Sequence, residues 1–379
     1  MTETITATAT TGASDGVTGR NGGLKGLILS GGKGSRLRPF TYTNAKQLVP
    51  IANKPVLFYA IEQLVESGIT DIGVIVGDTA EQVQSAVGDG KQFGADVTFI
   101  HQDAPLGIAH AVKTAQGYLG QSPFILYLGD NFVLGGIKSY VERFVGAGDG
   151  SQILLHKVED PQSFGIAELA DGRVTNIVEK PSEPKSDLAV IGIYMLRPSV
   201  FDVIDHLKPS GRGELEITDA LQGLIDGGQR VDAEVLDRYW IDTGKMDDIL
   251  NANEMVLGTI DHRIEGEVDE RSRVHEPVIV EKGAYVQNSV LRGPLIVAAG
   301  THIIDSYIGA NTSIDSGCQI KGCRIEGSVV MEDTVIEDIH WPIVKSMIGR
   351  NVELRGGDSV GSGYSLTLGD HSRIEMPDG

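Results

Sequence analysis

The sequence predicts an α/β fold in which a mostly parallel sheet carries helices on both faces and is followed by a C-terminal β-helix. From Leu24 to about Leu257, short apolar runs alternate with segments whose apolar residues have helical spacing. Strands that alternate with helices form parallel sheets covered on both faces. Beyond about Glu265 the helical periodicity stops, and an aliphatic residue recurs every six positions. Such a repeat is typical of a β-helix, whose coils stack one aliphatic residue on the next.

The length of 379 residues favours two domains. We predict a disordered leader at 1–23, an α/β domain at 24–262 and a β-helix domain at 263–379. The leader is rich in Thr, Ala and Gly, and it lacks the basic start and apolar stretch of a secretory signal. No segment approaches the roughly 18 apolar residues that span a membrane, so no membrane association is expected.

The first half of the α/β domain supplies the parallel strands. The apolar run LKGLILS leads into a glycine loop, as expected of a buried strand. Pro55 suits the first turn of a helix, and Gly68 suits its end. Further strands are predicted at DIGVIVG, VTFIHQ and FILYLGD, with helices at 79–87 and 107–119. Ligands of such sheets bind at the carboxyl ends of strands, which selects Ser30, Gln102 and Asp130.

The second half changes to four strands in succession, QILLHKV, FGIAEL, RVTNIVEKP and AVIGIYML. Helices are predicted at 199–207 and 217–226 from their apolar spacing. The motif YWIDTG then precedes a last helix at 246–257. We interpret these elements as the remainder of the same α/β domain.

The C-terminal repeat is most regular in its middle. The positions that share the six-residue step are Ile308, Ile314 and Ile320, with the pairs Val280–Val286 and Ile325–Met331. Small or polar residues fill the turns between them. The step slips by one residue near Ile303 and Ile325, so an irregular β-sandwich remains the alternative.

Charge and cysteine content restrict the partners. The formal net charge of −20 repels nucleic acid and anionic lipid, although one pocket can still concentrate basic groups for a small anionic substrate. Cys318 and Cys323 are the only cysteines and cannot form a disulfide framework. We interpret them as reduced thiols of a cytoplasmic protein, because no further Cys or His pair has the spacing of a zinc site.

The glycine loop GGKGSRLRP follows the first strand. Glycines let successive amide N–H groups surround phosphate oxygens, and Arg36 adds a planar guanidinium suited to phosphate. The loop matches neither the Walker pattern nor the dinucleotide pattern GxGxxG. Alone, it is equally compatible with a glycine-rich turn that carries a surface arginine.

A second motif, NAKQLVPIANKP, follows the loop and contains Lys46, Gln47 and Pro50. The combination of GGxGxRLxPxT, KQLxP and NKP resembles the sugar-1-phosphate nucleotidylyltransferases, and the KQL form is most similar to the glucose-1-phosphate thymidylyltransferases. YLGDN, VEKPSEPKS, GRGELEITD and YWIDTG extend this resemblance to about Leu257. The C-terminal repeat is similar to the long form of these enzymes. The resemblance implies a Rossmann-like nucleotidyltransferase sheet and a left-handed β-helix.

The resemblance also implies a reaction, in which a thymidylyl group passes from dTTP to glucose 1-phosphate and pyrophosphate leaves. Arg36 and Lys46 would neutralise the phosphates during transfer. Gln47 and Gln102 would read the pyrimidine, because an amide offers both a donor and an acceptor. The other implied nucleotide-binding residues are Gly31, Gly32, Gly34, Ser35 and Gly107. One methyl group distinguishes thymine from uracil and is worth only about 1–3 kcal/mol, so UTP remains the alternative nucleotide.

Asp130 and Asp242 resemble the two magnesium ligands of the family. Magnesium prefers oxygen ligands and retains water and substrate phosphates, so two carboxylates and a triphosphate suit it. The alternative for each residue is an aspartate that caps a turn or a helix.

The sugar-phosphate side is implied by the same resemblance. The matching residues are Phe164, Gly165, Glu179, Val190 and Arg212, together with Lys180 as the lysine that holds the phosphate of the sugar. Adjacent strand residues point to opposite faces, so Glu179 and Lys180 serve one site only if the strand bends or ends there. The following Pro181 favours such an end. The phosphate oxygen would attack the α-phosphorus in line without a strong general base, and His101 and His110 are interpreted as structural.

Two departures from the short form of the family affect its finer predictions. Pro105-Leu106-Gly107-Ile108 stands where the short form has Asp-Gly after the loop proline, and Phe164 replaces a tyrosine. These changes leave the reaction type intact. They weaken the assignment of glucose as the sugar and the transfer of the short form's regulatory site.

Three rival functions fit the sequence less well. An acyltransferase site in the β-helix would need a base such as His302, His340 or His371, but none lies in a recognisable motif. We instead expect the β-helix to support a homo-oligomer. A non-catalytic sensor of nucleotide sugars would have lost the loop arginine, the lysine or the aspartates, and all four are present. A glycosyltransferase would need a DxD motif, which the DDI sequence at 247–249 does not match.

Overall fold

The computed structural model describes residues 23–32, 34–356 and 370–375 of the chain. The predicted disordered leader lies outside these ranges apart from Gly23, and so do residues 357–369 and 376–379 of the predicted second domain. Within the described ranges, no helix combines the length and the apolar character needed to cross a membrane.

A nine-stranded sheet forms the centre of the α/β region. The strands of this region are, in chain order, β1 Lys25–Leu29, β2 Pro50–Ile51, β3 Lys54–Pro55, β4 Asp71–Val76, β5 Asp96–His101, β6 Phe124–Leu128, β7 Asn131–Val133, β8 Ser151–Lys157, β9 Gly165–Ala170, β10 Arg173–Glu179, β11 Leu188–Leu196, β12 Val231–Val235 and β13 Trp240–Asp242. The sheet has the order β5-β4-β1-β6-β11-β8-β12-β10-β9. Seven of the nine strands run in one direction, and β10 and β11 run in the opposite direction, so most strands are parallel as predicted.

Helices cover both faces of this sheet, as predicted. They are α1 Val56–Glu66, α2 Ala80–Val87, α3 Ile108–Thr114, α4 Gln116–Leu119, α5 Lys138–Gly146, α6 Val200–Ile204, α7 Ile217–Asp226 and α8 Met246–Leu257. Buried residues of α1, α2 and α5 form one apolar cluster with the sheet. Those of α3, α6 and α7 form another with the alternate side chains of the same strands. The apolar spacing of these helices therefore places their buried stripes on the sheet.

Several elements differ from the sequence-based expectation. The helix predicted at 107–119 is divided at Ala115 into α3 and α4. Neither α5 nor β12 was predicted, although the buried Tyr140, Val141 and Phe144 have the spacing of one helical face. Strand β12 pairs in parallel with β8 and thereby extends the sheet toward β10.

The C-terminal region consists of short strands that pair in parallel. They are β14 Arg263–Ile264, β15 Glu267–Val268, β16 Arg273–His275, β17 Val278–Val280, β18 Tyr285–Gln287, β19 Val290–Arg292, β20 Leu295–Val297, β21 His302–Ile304, β22 Tyr307–Ile308, β23 Thr312–Ile314, β24 Gln319–Lys321, β25 Arg324–Glu326, β26 Val329–Val330, β27 Val335–Glu337, β28 Ile343–Val344, β29 Met347–Ile348 and β30 Glu353–Arg355. Successive strands pass through three sheets in turn. We call this region the coils. It is consistent with the predicted β-helix, and parallel pairing throughout argues against a sandwich of antiparallel sheets.

The six-residue step corresponds to the passage from one sheet to the next. Ile308, Ile314 and Ile320 lie in β22, β23 and β24, and all three are buried in the shared core of the coils. The predicted pair Ile325–Met331 is wrong by one residue. Val330 is the core residue that pairs with Ile314, whereas Met331 is buried against residues of the α/β region. This coil is one residue shorter than its predecessor, which explains the slip near Ile325.

Candidate active site

The glycine loop leaves β1 at the carboxyl edge of the sheet. Gly32 and Gly34 have φ values of 134° and 54°, a backbone region that disfavours other residues. A Cβ atom on Gly34 would lie 2.9 Å from Cβ of Lys46 and 2.9 Å from Cγ2 of Thr41. The Thr41 hydroxyl also donates a 2.7 Å hydrogen bond to the Gly34 carbonyl. The loop is therefore packed directly against the lysine of the second motif.

Arg36 and Lys46 each lie on a short 3-10 helix, Ser35–Leu37 and Lys46–Leu48. The Arg36 guanidinium is exposed and lies against Gly244, where an added Cβ would be 3.2 Å from Nη2. Among the described residues, no carboxylate pairs with Arg36 within 4.0 Å. Its charge is therefore available to an anionic ligand at the mouth of the loop.

Asp130 and Asp242 are brought together by a long-range strand pair. Strand β13 pairs antiparallel with β7, which sets Asp242 opposite Asn131. Thr243 fixes the junction, because its N–H and hydroxyl both donate to the Asp130 carbonyl at 3.0 and 2.7 Å. Lys46, only 8% exposed, places Nζ 2.5 Å from Oδ2 of Asp130 and 3.5 Å from Oδ1 of Asp242.

The electrostatics of this group favour a cation. Burial acts to lower the pKa of Lys46, but the charges of Asp130 and Asp242 outweigh it and hold the pKa above its usual value. Burial acts to raise the pKa of Asp130, whereas the charge and hydrogen bond of Lys46 and the Asn131 amide bring it below its usual value. Burial and the charge of Asp130 raise the pKa of Asp242. Two carboxylates thus share one buried lysine, which leaves an excess of negative charge.

The donor set fits a magnesium ion that is shared with a ligand. The described residues contain no group of three or more His, Cys, Asp or Glu side chains that could hold a metal. The protein would therefore supply the two aspartates, and phosphate and water oxygens would supply the rest, as magnesium sites usually do. That Lys46 already bridges the two carboxylates shows that they converge on one cationic position.

The two predicted base-reading glutamines lie on either side of Gly31. Gln47 is 2% exposed, and its Nε2 donates to the Gly31 carbonyl at 3.4 Å, while its Oε1 has no partner among the described residues. Oε1 of Gln102 lies 3.7 Å from the Cβ position of Gly31. The Gln102 amide is held by His110, whose Nδ1 is 2.8 Å from Nε2. His110 therefore orients a predicted site residue.

Gly107 closes this side of the cleft. Its φ is 104°, and an added Cβ would lie 2.4 Å from the Leu215 carbonyl oxygen, so only glycine fits. Its own carbonyl is 3.5 Å from Nε2 of Gln102. Gly107 thus adjoins the base-reading side through its backbone, at the N-terminus of α3.

The sugar-phosphate residues meet where β9 and β10 pair. Gly165 is opposite Glu179, and an added Cβ on Gly165 would be 2.5 Å from Thr218 and 3.1 Å from Oε2 of Glu179. Lys180 has a φ of 43°, and its N–H donates to the Phe164 carbonyl at 3.0 Å. The strand therefore ends in a turn that brings Nζ of Lys180 to 3.7 Å from Oε1 of Glu179. Both side chains can face one ligand, as the sequence analysis required.

The side chains of Arg212 and Val190 contact other residues of the protein in place of pointing directly into the predicted sugar-phosphate site. The Arg212 guanidinium binds Glu216 at 2.8 Å and Glu179 at 3.2 Å. Burial acts to lower the pKa of Arg212, but the hydrogen bond and charge of Glu216 raise it overall. Val190 is 7% exposed and belongs to the apolar cluster beneath α3 and α7. Arg212 thus reaches the site through Glu179, and the side chain of Val190 contributes to packing behind it.

Four residues of the site were not selected from the sequence. Trp240 Nε1 donates to Oδ1 of Asn131 at 2.7 Å, and Nδ2 of Asn131 donates to Oδ1 of Asp130 at 3.0 Å. The Trp240 ring also meets Phe164 edge-on at 5.9 Å. Thr218 donates to Oε2 of Glu179 at 3.0 Å. Trp240, Asn131 and Thr218 lie inside the motifs YWIDTG, YLGDN and GRGELEITD, so membership in a motif could have identified them. His110 lies outside these motifs and was interpreted as structural.

Comparison with known proteins agrees with this geometry. The family model for nucleotidyl transferases matches residues 25–258. The chain belongs to the nucleotidyl transferase family. It is 49% identical over 355 residues to a glucose-1-phosphate thymidylyltransferase of Streptomyces antibioticus, covering 93% of this chain and 99% of that protein. A glucose-1-phosphate thymidylyltransferase of Streptomyces griseus is 46% identical over 354 residues, covering 93% and 99%.

A solved structure shares the fold of the α/β region. It comes from Bacillus anthracis, is assigned as a glucose-1-phosphate thymidylyltransferase and contains sucrose. It is 38% identical to this nucleotidyl transferase, with a TM-score of 0.59, and covers 63% of this chain and 97% of that one. The two Streptomyces relatives extend over the coils as well, because they match 93% of the chain.

Proposed function

We propose that this nucleotidyl transferase transfers a thymidylyl group from dTTP to α-D-glucose 1-phosphate, giving dTDP-glucose and pyrophosphate. One observation supports it above all. Lys46 lies between Asp130 and Asp242 and against the glycine loop that carries Arg36, which has no carboxylate partner among the described residues. This arrangement combines two cations for phosphates with two carboxylates for a metal. The Streptomyces relatives named as thymidylyltransferases support the choice of substrates.

Each side of the cleft has its own task in the proposed reaction. Lys180 holds the phosphate of the sugar, and Glu179 accepts hydrogen bonds from sugar hydroxyls. An oxygen of the sugar phosphate attacks the α-phosphorus in line, and the bond to pyrophosphate breaks as Arg36 and Lys46 offset the charge on the leaving group. Asp130 and Asp242 would hold magnesium, which supplies further charge neutralisation when bound. No general base is needed, because the attacking phosphate is already anionic.

The base assignment rests on the two glutamines. Gln47 Oε1 has no partner in the described residues, and the Gln102 amide is oriented by His110. An acceptor and an oriented amide suit the mixed donor and acceptor edge of a pyrimidine. Because uracil has the same edge, uridylyl transfer from UTP is the second candidate.

The decisive experiment measures pyrophosphate release with magnesium for each nucleoside triphosphate and glucose 1-phosphate. We expect the highest kcat/KM with dTTP. A preference for UTP or ATP would retain the reaction and overturn the base assignment. No release with any nucleotide and any sugar 1-phosphate would favour a non-catalytic sensor of nucleotide sugars.

The organisation of the chain enters the same proposal. We propose a catalytic domain at 24–262 and a domain of left-handed β-helical coils at 263–379, assembled as a homo-oligomer in the cytoplasm. The parallel pairing of the coils supports the second domain. The buried, unpaired thiols of Cys318 and Cys323 fit a reducing compartment.

A further inference from the structure

The segment from Ser35 to Asn53 lies between the α/β sheet and the coils. It carries Arg36, Lys46 and Gln47, so its position determines where the triphosphate and the base would be held. Its secondary structure is limited to three short 3-10 helices and strand β2, which pairs with β3 directly after the segment. Such short elements hold few hydrogen bonds of their own, and the segment depends on its neighbours for a fixed position.

An apolar cluster joins the coils to the back of this segment. Its members are Leu37, Val49, Ile249 and Met331, all buried, with Phe40 and Met347 partly buried beside them. Leu37 is 2% exposed and directly follows the exposed Arg36. Met331, 3% exposed, is the buried coil residue of this cluster, and Met347 of the coils packs beside it. The 3-10 helix of Arg36 therefore presents its cation to the cleft and its apolar side to the coils.

Polar contacts fix the end of the segment. Asn253 of α8 is completely buried, and its Oδ1 accepts hydrogen bonds from the Ala52 N–H at 2.8 Å and from the Ser313 hydroxyl at 2.9 Å. Its Nδ2 donates to the Asn311 carbonyl at 3.1 Å. Asn53 Nδ2 donates to the Ile314 carbonyl at 2.9 Å. One sheet of the coils, through β23, thus holds the hairpin that follows Lys46 and Gln47.

A third contact lies just before Lys46. Nη1 of Arg350 donates to Oδ1 of Asn44 at 2.9 Å, and the Cβ position of Gly349 is 3.6 Å from the Phe40 ring. The sugar side differs. Among the described residues, no hydrogen bond, ion pair or apolar cluster joins the coils to Phe164, Glu179 or Lys180.

We propose that the coils position the nucleotide-binding segment, with Met331 and Arg350 as positioning residues for Arg36 and Lys46. This inference rests on the proposed function and assigns the coils a task within it. The nucleotide side of the cleft is supported by the coils, whereas the sugar-phosphate side is not in contact with them through the residues named above. Weakening the contacts between the coils and the nucleotide-binding segment should therefore raise KM for dTTP and leave KM for the sugar phosphate largely unchanged.

The test uses the full chain with Met331→Ala. Removing the side chain leaves a cavity behind Leu37, and we expect KM for dTTP to rise about tenfold with a lower kcat, while KM for glucose 1-phosphate changes less than about twofold. Met331→Leu should restore both values. Ile303→Ala is the matched control, because Ile303 is fully buried in the core of the coils and lies outside the interface cluster. It should lower the melting temperature without shifting KM for dTTP.

Hydrogen exchange provides a readout that does not depend on turnover. Amides of residues 35–53 should exchange faster in Met331→Ala and remain as in the wild type in Ile303→Ala. Should Met331→Ala not fold, Arg350→Ala removes the contact with Asn44 at the surface and should raise KM for dTTP about threefold. Equal effects on both substrates, or unchanged exchange over 35–53, would overturn the inference. Wild-type protein that releases no pyrophosphate would instead overturn the proposed function, with the exchange result still deciding the positioning role.

Discussion

At the scale of single residues, the site is organised around one lysine and two aspartates. Lys46 neutralises only part of the charge of Asp130 and Asp242, and Arg36 lies nearby without a carboxylate partner in the described residues. The carboxylate charge that Lys46 does not neutralise can attract a metal ion, and the guanidinium of Arg36 can attract a polyphosphate, so the site can bind both together. The same residues in a protein core would be expected to pair completely.

Asp130→Asn should separate catalysis from folding. The amide keeps the size of the side chain and can still accept from Asn131, but it removes one of the two charges that face Lys46. We expect kcat to fall roughly 10²- to 10³-fold, measured by magnesium-dependent pyrophosphate release. Asp205→Asn, which removes a surface carboxylate paired with Lys113, is the control. Wild-type turnover in Asp130→Asn would remove Asp130 from the metal site.

His110→Ala tests the orientation of Gln102. Without the ring nitrogen at 2.8 Å, the amide can rotate away from the base. The loss of one hydrogen bond is worth about 1 kcal/mol, so KM for dTTP should rise about fivefold. KM for glucose 1-phosphate should remain near the wild-type value, and steady-state kinetics with each substrate varied separately measure both. An equal rise in the two constants would indicate a general loosening of α3 instead.

At the scale of elements, local patterns predicted most of the fold but not the pairing that builds the site. Helix α8 and strands β1, β4, β5 and β6 follow from apolar periodicity and glycine or proline boundaries, which are local properties. The pairing of β13 with β7 joins residues more than one hundred positions apart, and no local pattern specifies it. The left-handed conformation of Lys180 likewise depends on tertiary packing. So does the choice of Val330, and not the predicted Met331, as the residue in the core of the coils.

Asp315, in one of the coils, makes the stability of the protein depend on pH. Burial raises the pKa of Asp315 to about 6, with Glu332 and Glu281 adding to the shift and Ser316 and Arg350 opposing it. The unfolded carboxyl titrates near 4. The stability that protonated Asp315 contributes is therefore present below about pH 4 and is lost as the pH rises through 6.

Asp315→Asn should consequently stabilise the protein at neutral pH. The amide keeps an acceptor for the Ser316 N–H and carries no charge to desolvate. We expect a gain of about 1–2 kcal/mol at pH 7, which disappears near pH 4. Denaturant unfolding at the two pH values measures it, with Asp333→Asn as the control for loss of one charge. A gain that is equal at both pH values would contradict the role of burial.

At the scale of the whole molecule, an α/β region and a region of repeated coils are joined through specific contacts. The α/β region has its own cores on both faces of the sheet, and the coils have a third. Their junction combines the apolar cluster around Met331 with the buried amide of Asn253. A buried amide with all its partners is costly to separate, because each group left unpaired loses about 1–3 kcal/mol. The two regions should therefore unfold together.

Asn253→Ala tests that coupling. It leaves the Ala52 N–H and the Ser313 hydroxyl without their acceptor and the Asn311 carbonyl without its donor. Wild-type protein should show one calorimetric transition, whereas Asn253→Ala should show two, with the α/β region melting separately from the coils. Thr259→Ala, at the exposed end of α8, removes a hydrogen bond away from the junction and should keep one transition. Two transitions in the wild type would mean that the coils buttress the nucleotide segment without sharing its stability, whereas one transition in Asn253→Ala would place the coupling in the Met331 cluster alone.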